Sequence, residues 1–118
     1  MLDVNGAKYK IKKDKYSNAR GGNSIFFEIF CSKFNKYILT YQKDGIGNLH
    51  RLYLDRIFDP IKLVELQKFV SSKQDIPNLF CSKCSSLIGV PMIYEKENRF
   101  AYRLIHGAFI KIKKYDFT

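Results

Sequence analysis

The sequence contains no tryptophan, and only three cysteines and three prolines in 118 residues. Three cysteines, two of them in a tight Cys-x-x-Cys, suit a reducing compartment and a metal better than a disulfide framework. No apolar run approaches the roughly 20 residues that a membrane-spanning helix requires, and the N-terminus has no signal-peptide pattern. We therefore expect a cytoplasmic protein that does not associate with a membrane.

The composition is typical of a folded globular chain. Hydrophobic residues make up 46% of the sequence and charged residues 27%, and a chain of this length can bury a core without disulfides. No stretch has the composition of a linker. We predict a single domain over residues 1–118, in which a basic strand and loop (1–24) precedes a zinc-knuckle β core (25–114).

Positive charge is in excess, because 21 Lys and Arg residues oppose 11 Asp and Glu residues, for a net charge of +10. Basic side chains beside aromatic ones such as Tyr9 and Tyr16 are typical of nucleic-acid binding. The candidate residues are Lys8, Lys10, Lys12, Lys13, Lys15, Arg20, Lys111, Lys113 and Lys114. Alternatively, these lysines form solvated faces, and those of the first strand protect a sheet edge from unwanted pairing.

The distribution of β-branched and aromatic residues predicts a mainly β (β+α) fold of antiparallel sheets. Residues 25–31 and 36–43 are typical of two strands around a tight turn, and residues 8–12 and 49–56 alternate like exposed or edge strands. A later hairpin turns on Glu97-Asn98. In the last strand, Ile110 and Ile112 are expected to face the core and Lys111 and Lys113 to face water.

One short helix is predicted at about residues 60–72. Asp59 is suited to the N-cap, and Pro60 to the first helical position, where its missing N–H is not needed. The spacing of apolar residues from Ile61 to Val70 predicts a face that packs on the core.

A five-residue phrase occurs twice, as FCSKF at residues 30–34 and as FCSKC at residues 80–84. A Cys-x-x-Cys turn directs two thiolates at one metal ion, and two such turns make a four-thiolate zinc site. In the first copy, Phe34 occupies the position of the second cysteine. The remaining thiols, those of Cys31, Cys81 and Cys84, are expected to converge with Phe34 beside them.

Three arrangements are open for the fourth position of this site. His106 or His50 completes a Cys3His zinc site, or water completes it, or the metal is lost and Phe34 fills the space as core. The expected cofactor is a structural zinc ion. An open three-thiolate metal would also suit an enzyme, which would need Asp55, Glu28 or His106 beside the ion.

The region around the second copy contains further motifs. Cys81-Ser-Lys-Cys84 is followed by Gly89 and Tyr94, and then by a turn that begins at His106-Gly107. With these motifs, residues 26–112 resemble the yippee-type members of the β-tent group. The resemblance implies two sheets joined by zinc on Cys31, Cys81 and Cys84.

Two activities of β-tent relatives do not carry over. The aromatic cage of some relatives is built from tryptophan, which this chain lacks. Methionine sulfoxide reductase B needs a nucleophilic cysteine outside the metal knuckles, and no such cysteine is present. A zinc ribbon is the competing fold, but the helix between the two knuckles and the sheet outside them favour the β-tent.

Three functions follow as hypotheses. The first is a small, basic, non-enzymatic binding or adaptor protein with a protein partner, built on a zinc knuckle that has lost one cysteine. The second is a nucleic-acid-binding protein that uses the lysine-rich strands. The third is a metal-dependent enzyme at an open three-cysteine site.

Overall fold

The structure is a computed structural model and describes residues 9–114. Within this range the chain is mainly β, as predicted, with two antiparallel four-stranded sheets. The strands are β1 (Ser24–Cys31), β2 (Tyr37–Asp44), β3 (Arg51–Tyr53), β4 (Ile57–Asp59), β5 (Leu79–Phe80), β6 (Leu87–Tyr94), β7 (Arg99–Leu104) and β8 (Phe109–Lys114). The first sheet has the order β4-β2-β1-β8 and the second has the order β3-β7-β6-β5.

The core lies between the two sheets and is formed by the inward rows of their strands. In β1 the buried row consists of Phe27, Ile29 and Cys31, so the two-residue period of the strand leads directly to the first cysteine. Partners of this row are Leu39, Tyr41, Leu52, Ile57, Ile88, Ala101, Tyr102 and Leu104. The edge strand predicted at residues 49–56 is present only as β3, at a sheet edge, and residues 54–56 form a 3-10 turn instead.

The helical segments are short: α1 (Lys15–Ala19), α2 (Ile61–Val64), α3 (Leu66–Phe69), and single 3-10 turns at Leu54–Arg56 and Lys73–Asp75. The helix predicted at 60–72 is present as α2 and α3, which are separated at Glu65. Asp59 does not cap it, because Pro60 holds the cap position and the Asp59 carboxylate accepts a hydrogen bond from the Tyr37 hydroxyl at 2.7 Å.

The packing face predicted for this helical segment is partly wrong. Leu63, Val64 and Leu66 pack against the core, but Ile61 and Phe69 are exposed. Val70 also packs against the core, so Leu63, Leu66 and Val70 form one face at the spacing i, i+3, i+7, and Ile61 and Phe69 lie away from that face. No helix within residues 9–114 is both long enough and apolar enough to cross a membrane.

The strand predicted at residues 8–12 is not formed in its described part. Lys8 lies outside the described residues, and residues 9–13 belong to no strand. The main-chain N–H and carbonyl of Lys12 pair with the side-chain amide of Gln42, at 2.8 and 2.9 Å. Asp14 then starts α1 through a capping box with Ser17. These side chains provide hydrogen-bond partners for main-chain groups that would otherwise need a neighbouring strand.

The orientation predicted for the last strand is wrong. Ile29 of β1 faces the core, and its partner in the register of β1 with β8 is Lys111. Because directly opposed residues share a face, Lys111 lies on the core side, whereas Ile110 and Ile112 lie on the outer side, 39% and 50% exposed. A lysine is tolerated there because its stem covers apolar surface at the sheet edge: its ammonium lies 5.1 Å from the ring centroid of Phe27.

Candidate metal centre

The two copies of the repeated phrase fold into the same turn. In each copy the cysteine N–H donates to the carbonyl five residues later, and the cysteine carbonyl accepts from the N–H four residues later. The donors of the second bond, Asn35 and Ser85, both have positive φ, 52° and 61°. Both turns therefore hold the left-handed conformation that ends such a knuckle, at equivalent positions after Cys31 and Cys81.

The strands that lead into these turns are also equivalent. The pairing of β1 with β2 shifts register between Ile29 and Phe30, and the pairing of β5 with β6 shifts between Leu79 and Phe80. Each position in the second unit lies 50 residues after its equivalent in the first. The repeated phrase thus marks two copies of one strand–turn–strand unit, with one copy in each sheet.

The three thiols converge, as predicted. The sulfur atoms of Cys31, Cys81 and Cys84 all lie within 4.8 Å of one another, and those of Cys31 and Cys84 are 3.5 Å apart. In a tetrahedral zinc site with Zn–S bonds of about 2.3 Å, the sulfurs are separated by about 3.8 Å. The group therefore has the dimensions of three corners of such a site, and small side-chain adjustments would allow all three thiolates to bind one ion.

The surroundings of this group favour ionisation of one thiol. The hydroxyl of Ser86 lies 3.1 Å from Cys84 Sγ and, together with the Ser86 N–H, lowers the Cys84 pKa to about 7. At Cys31 the Lys33 N–H is the largest single influence and lowers the pKa, but burial and the neighbouring thiols outweigh it, so that the pKa is raised. The lowered pKa of Cys84 favours its thiolate, which is the form that binds metal.

Phe34 does not fill the space beside the thiols. Its side chain is 54% exposed, and the ammonium of Lys83 lies 5.3 Å from its ring centroid. The alternative in which Phe34 becomes part of the core is therefore wrong. The ring at the second cysteine position of this turn thus faces solvent and contacts a lysine of the other knuckle.

Neither histidine belongs to the three-thiol group in the described residues. The ring of His106 instead contacts the ring of His50, with centroids 5.3 Å apart. The turn that carries His106 is held by the Ser32 hydroxyl, which donates to the Gly107 carbonyl at 2.8 Å. His106 is thus close to the first knuckle in the fold, and its part as the fourth ligand stays a prediction.

The acids proposed as catalytic partners are engaged elsewhere. Asp55 accepts from Arg99 at 2.6 Å, and Glu28 forms an ion pair with Lys114 at 3.7 Å. Neither acid belongs to the group of converging ligand atoms. Among residues 9–114, no carboxylate joins the three thiols in this group.

Some of the candidate nucleic-acid residues are occupied by contacts within the protein. The Lys12 ammonium donates to the Asp55 carbonyl at 2.6 Å, and Arg20 forms two hydrogen bonds of 2.8 Å with the Glu97 carboxylate. Lys114, paired with Glu28, is partly buried. The exposed members in the described residues are Lys10, Lys13, Lys15, Lys111 and Lys113.

Sequence reasoning missed a network of buried arginines. Arg56 is fully buried and forms ion pairs with Asp14 at 2.6 Å and with Asp44 at 2.8 Å. Its hydrogen bond, the largest influence, lowers the Asp14 pKa to about 2. These acids come from the start of α1 and from the end of β2, so no local pattern around Arg56 indicates the pairing.

A second arginine extends this network into the other sheet. Arg99 binds Asp55 at 2.6 Å and Glu97 at 3.0 Å. Its guanidinium carbon lies 3.9 Å from the ring centroid of Tyr16 and 3.8 Å from that of Tyr53. The two aromatic rings and two acids compensate a charge that is almost completely buried.

Comparison with known proteins finds no significant match to a family model, a curated protein or a solved structure. The class of this protein is therefore defined by its own fold and site. It is an antiparallel two-sheet β protein in which two equivalent knuckle turns, one from each sheet, bring three cysteines together.

Proposed function

We propose that this chain is a non-enzymatic binding or adaptor protein whose two sheets are joined by a structural zinc ion on Cys31, Cys81 and Cys84. The observation that carries the proposal is the convergence of the three sulfur atoms to within 4.8 Å. Thiolates at this spacing suit zinc. A reducing compartment such as the cytoplasm would keep them available, since disulfides rarely persist there.

The position of the thiols supports a structural role for the metal. Cys31 ends β1 in the first sheet, and Cys81 directly follows β5 in the second. Metal ligation by both would cross-link the sheets at the knuckle end of the β1–β2 hairpin. The pair formed by Arg56 and Asp44 lies at the opposite end of that hairpin, where Asp44 is paired with Ser24.

The same features support a relationship in architecture to the β-tent group. Two knuckles related by one repeat, a helical segment between them and a sheet on each side are what the resemblance over residues 26–112 implies. In that architecture zinc holds the sheets together and the surface binds the partner. We propose a protein as the partner, since Ile110 and Ile112 are exposed on the edge strand β8.

Elemental mass spectrometry of the purified protein tests the metal. We expect one zinc ion per chain in the wild type and loss of that zinc in Cys84→Ser. A Lys83→Ala variant, altered in the same turn without loss of a thiol, should keep its metal. Zinc found in a Phe34→Cys variant but absent from the wild type would refute the proposal, because the three native thiols would then be insufficient.

Nucleic-acid binding is the second candidate. It is supported by the exposure of Lys10, Lys13 and Lys15 on one short segment of a chain with a net charge of +10. Retention on single-stranded DNA should then fall steeply with salt, because phosphate contacts release counterions. The triple alanine variant of these lysines should bind more weakly, whereas changing the exposed Lys62 and Lys68 should have little effect. Retention independent of salt would exclude this function.

A further inference from the structure

A cleft of about 290 Å³ opens where the chain passes from the end of β2 to the start of β3. Three of its lining residues are basic, Arg20, Lys43 and Arg51, and a fourth, His50, carries a positive charge when it is protonated. One acid, Asp44, lines it. The cleft is distinct from the three-thiol group, none of whose members lines it.

Lys43 determines the chemistry of this cleft. It continues the core-facing row of β2 after Leu39 and Tyr41, because alternate residues of a strand share a face, and it is only 8% exposed. Its ammonium donates to the Gly45 carbonyl at 2.9 Å. No described carboxylate forms an ion pair with it, so Lys43 is a buried cation with a neutral partner, which is an energetically unfavourable arrangement.

The neighbours of Lys43 do not compensate its charge. Burial, followed by the positive charge of Lys111, lowers its pKa, and Asp44 only partly opposes this effect. The carboxylate of Asp44 is itself held by the guanidinium of Arg56 at 2.8 Å. The interior of the cleft therefore has a surplus of positive charge.

Arg51 adds a second positive charge at the edge of the cleft. Its guanidinium carbon lies 4.3 Å from the ring centroid of Tyr94, and its Nε donates to the Tyr53 hydroxyl at 3.1 Å. Its two terminal nitrogens form no hydrogen bond with the described residues, and no described carboxylate forms an ion pair with it. The side chain is thus held in place while its terminal donors remain available to a ligand.

We propose that this cleft binds the phosphate group of a small compound, with Lys43 and Arg51 as its charged partners. A phosphate dianion would compensate both cations and accept the donors of the guanidinium. The volume is close to the lower end of the range for small-molecule sites, about 300 Å³. It accommodates a phosphate with a small attached group.

The geometry favours a small compound over a nucleic-acid strand. Single-stranded nucleic acid is bound along an open groove in which successive bases stack on exposed aromatic rings. The aromatic residues of this cleft, Tyr41 and Tyr53, are both buried. Their rings belong to the core and to the arginine network, so neither tyrosine offers a stacking surface beside Lys43.

The test is a titration of the purified wild-type protein with inorganic phosphate at constant ionic strength, followed by the amide NMR signals. We expect saturable shifts centred on Lys43, Gly45 and Arg51. Lys43→Met keeps the aliphatic stem and should weaken binding about tenfold or more. Lys68→Met removes the same charge from an exposed site in α3 and should leave the affinity unchanged.

Arg51→Gln provides an independent variant, also expected to weaken phosphate binding, in case Lys43→Met alters the fold. Thermal unfolding and zinc content of each variant show whether a loss of binding is separate from the metal site. Equal phosphate affinity in wild type, Lys43→Met and Arg51→Gln would overturn the proposal. So would the absence of saturable shifts, or binding of oligothymidylate at the cleft without any response to phosphate.

Discussion

The sulfur of Cys31 lies 3.5 Å from the sulfur of Cys84, although the two residues are 53 positions apart and belong to different knuckles. Cys84 aligns with Phe34 in the repeat, so only the second unit has both cysteines of a Cys-x-x-Cys turn. Both units have the same shift in strand register followed by the same turn. The backbone thus keeps the two-knuckle geometry on both sides, even where one cysteine is missing.

Removing the metal should destabilise the protein. Zinc that binds only the folded state contributes about 4 kcal/mol at a free concentration 1,000 times its dissociation constant. We therefore expect a strong chelator to lower the thermal midpoint of the wild type, as measured by circular dichroism, and to have little effect on Cys84→Ser. An unchanged midpoint in wild-type protein from which zinc has been removed would show that the sheets pack without it.

Phe34 can be replaced with little effect on stability. Because its side chain is exposed and contacts Lys83, Phe34→Ala should change the free energy of unfolding by about 0.5 kcal/mol or less. Phe34→Cys should bind zinc more tightly, since it offers a fourth thiolate on an equivalent turn. Urea unfolding and competition with a zinc chelator measure the two effects. A loss of several kcal/mol in Phe34→Ala would contradict the exposed position.

Truncation of Arg56 should be among the most damaging substitutions outside the knuckles. Arg56→Ala would leave the buried carboxylate of Asp44 without its ion-pair partner and should cost about 3–5 kcal/mol. Urea unfolding measures the loss, and Arg103→Ala, which truncates an exposed arginine of β7, is the control. A loss of less than 1 kcal/mol would mean that the network contributes little to stability.

Acid should weaken the attachment of α1. Hydrogen bonding by Arg56 lowers the Asp14 pKa to about 2, below the value of about 3.9 expected when the chain is unfolded. The stabilisation from ionised Asp14 is therefore fully present above about pH 5 and is lost progressively as the pH falls through the folded pKa of about 2. Unfolding free energies measured in urea from pH 5 to pH 2 should decline less steeply in Asp14→Asn than in wild type. Identical slopes would contradict the pairing.

Much of the fold could be predicted from the sequence because its signals are local. β-Branched and aromatic residues predict β1 and β2 to within one residue at each of their four ends, since such side chains pack well on a pleated sheet. The repeated phrase predicted the meeting of Cys31, Cys81 and Cys84 because a metal knuckle has a fixed spacing within the chain. The mainly β architecture and the three-thiol group could therefore be predicted from the sequence.

The remaining features depend on which segments meet in three dimensions. The faces of Ile110 and Lys111 were assigned the wrong way round, because the register of an edge strand is set by its neighbour in the sheet. The pairing of Arg56 with Asp14 joins residues 42 positions apart, and burial strengthens it only once the sheets have closed.

The sequence by itself determined that the chain forms strands and that it places cysteines in two equivalent turns, because both properties depend on neighbours along the chain. Only the tertiary structure decided that Phe34 faces solvent, that His106 pairs with His50, and that Lys43 lies buried in a basic cleft. Burial and charge compensation depend on contacts between segments that are far apart in the chain, so no local sequence pattern indicates them.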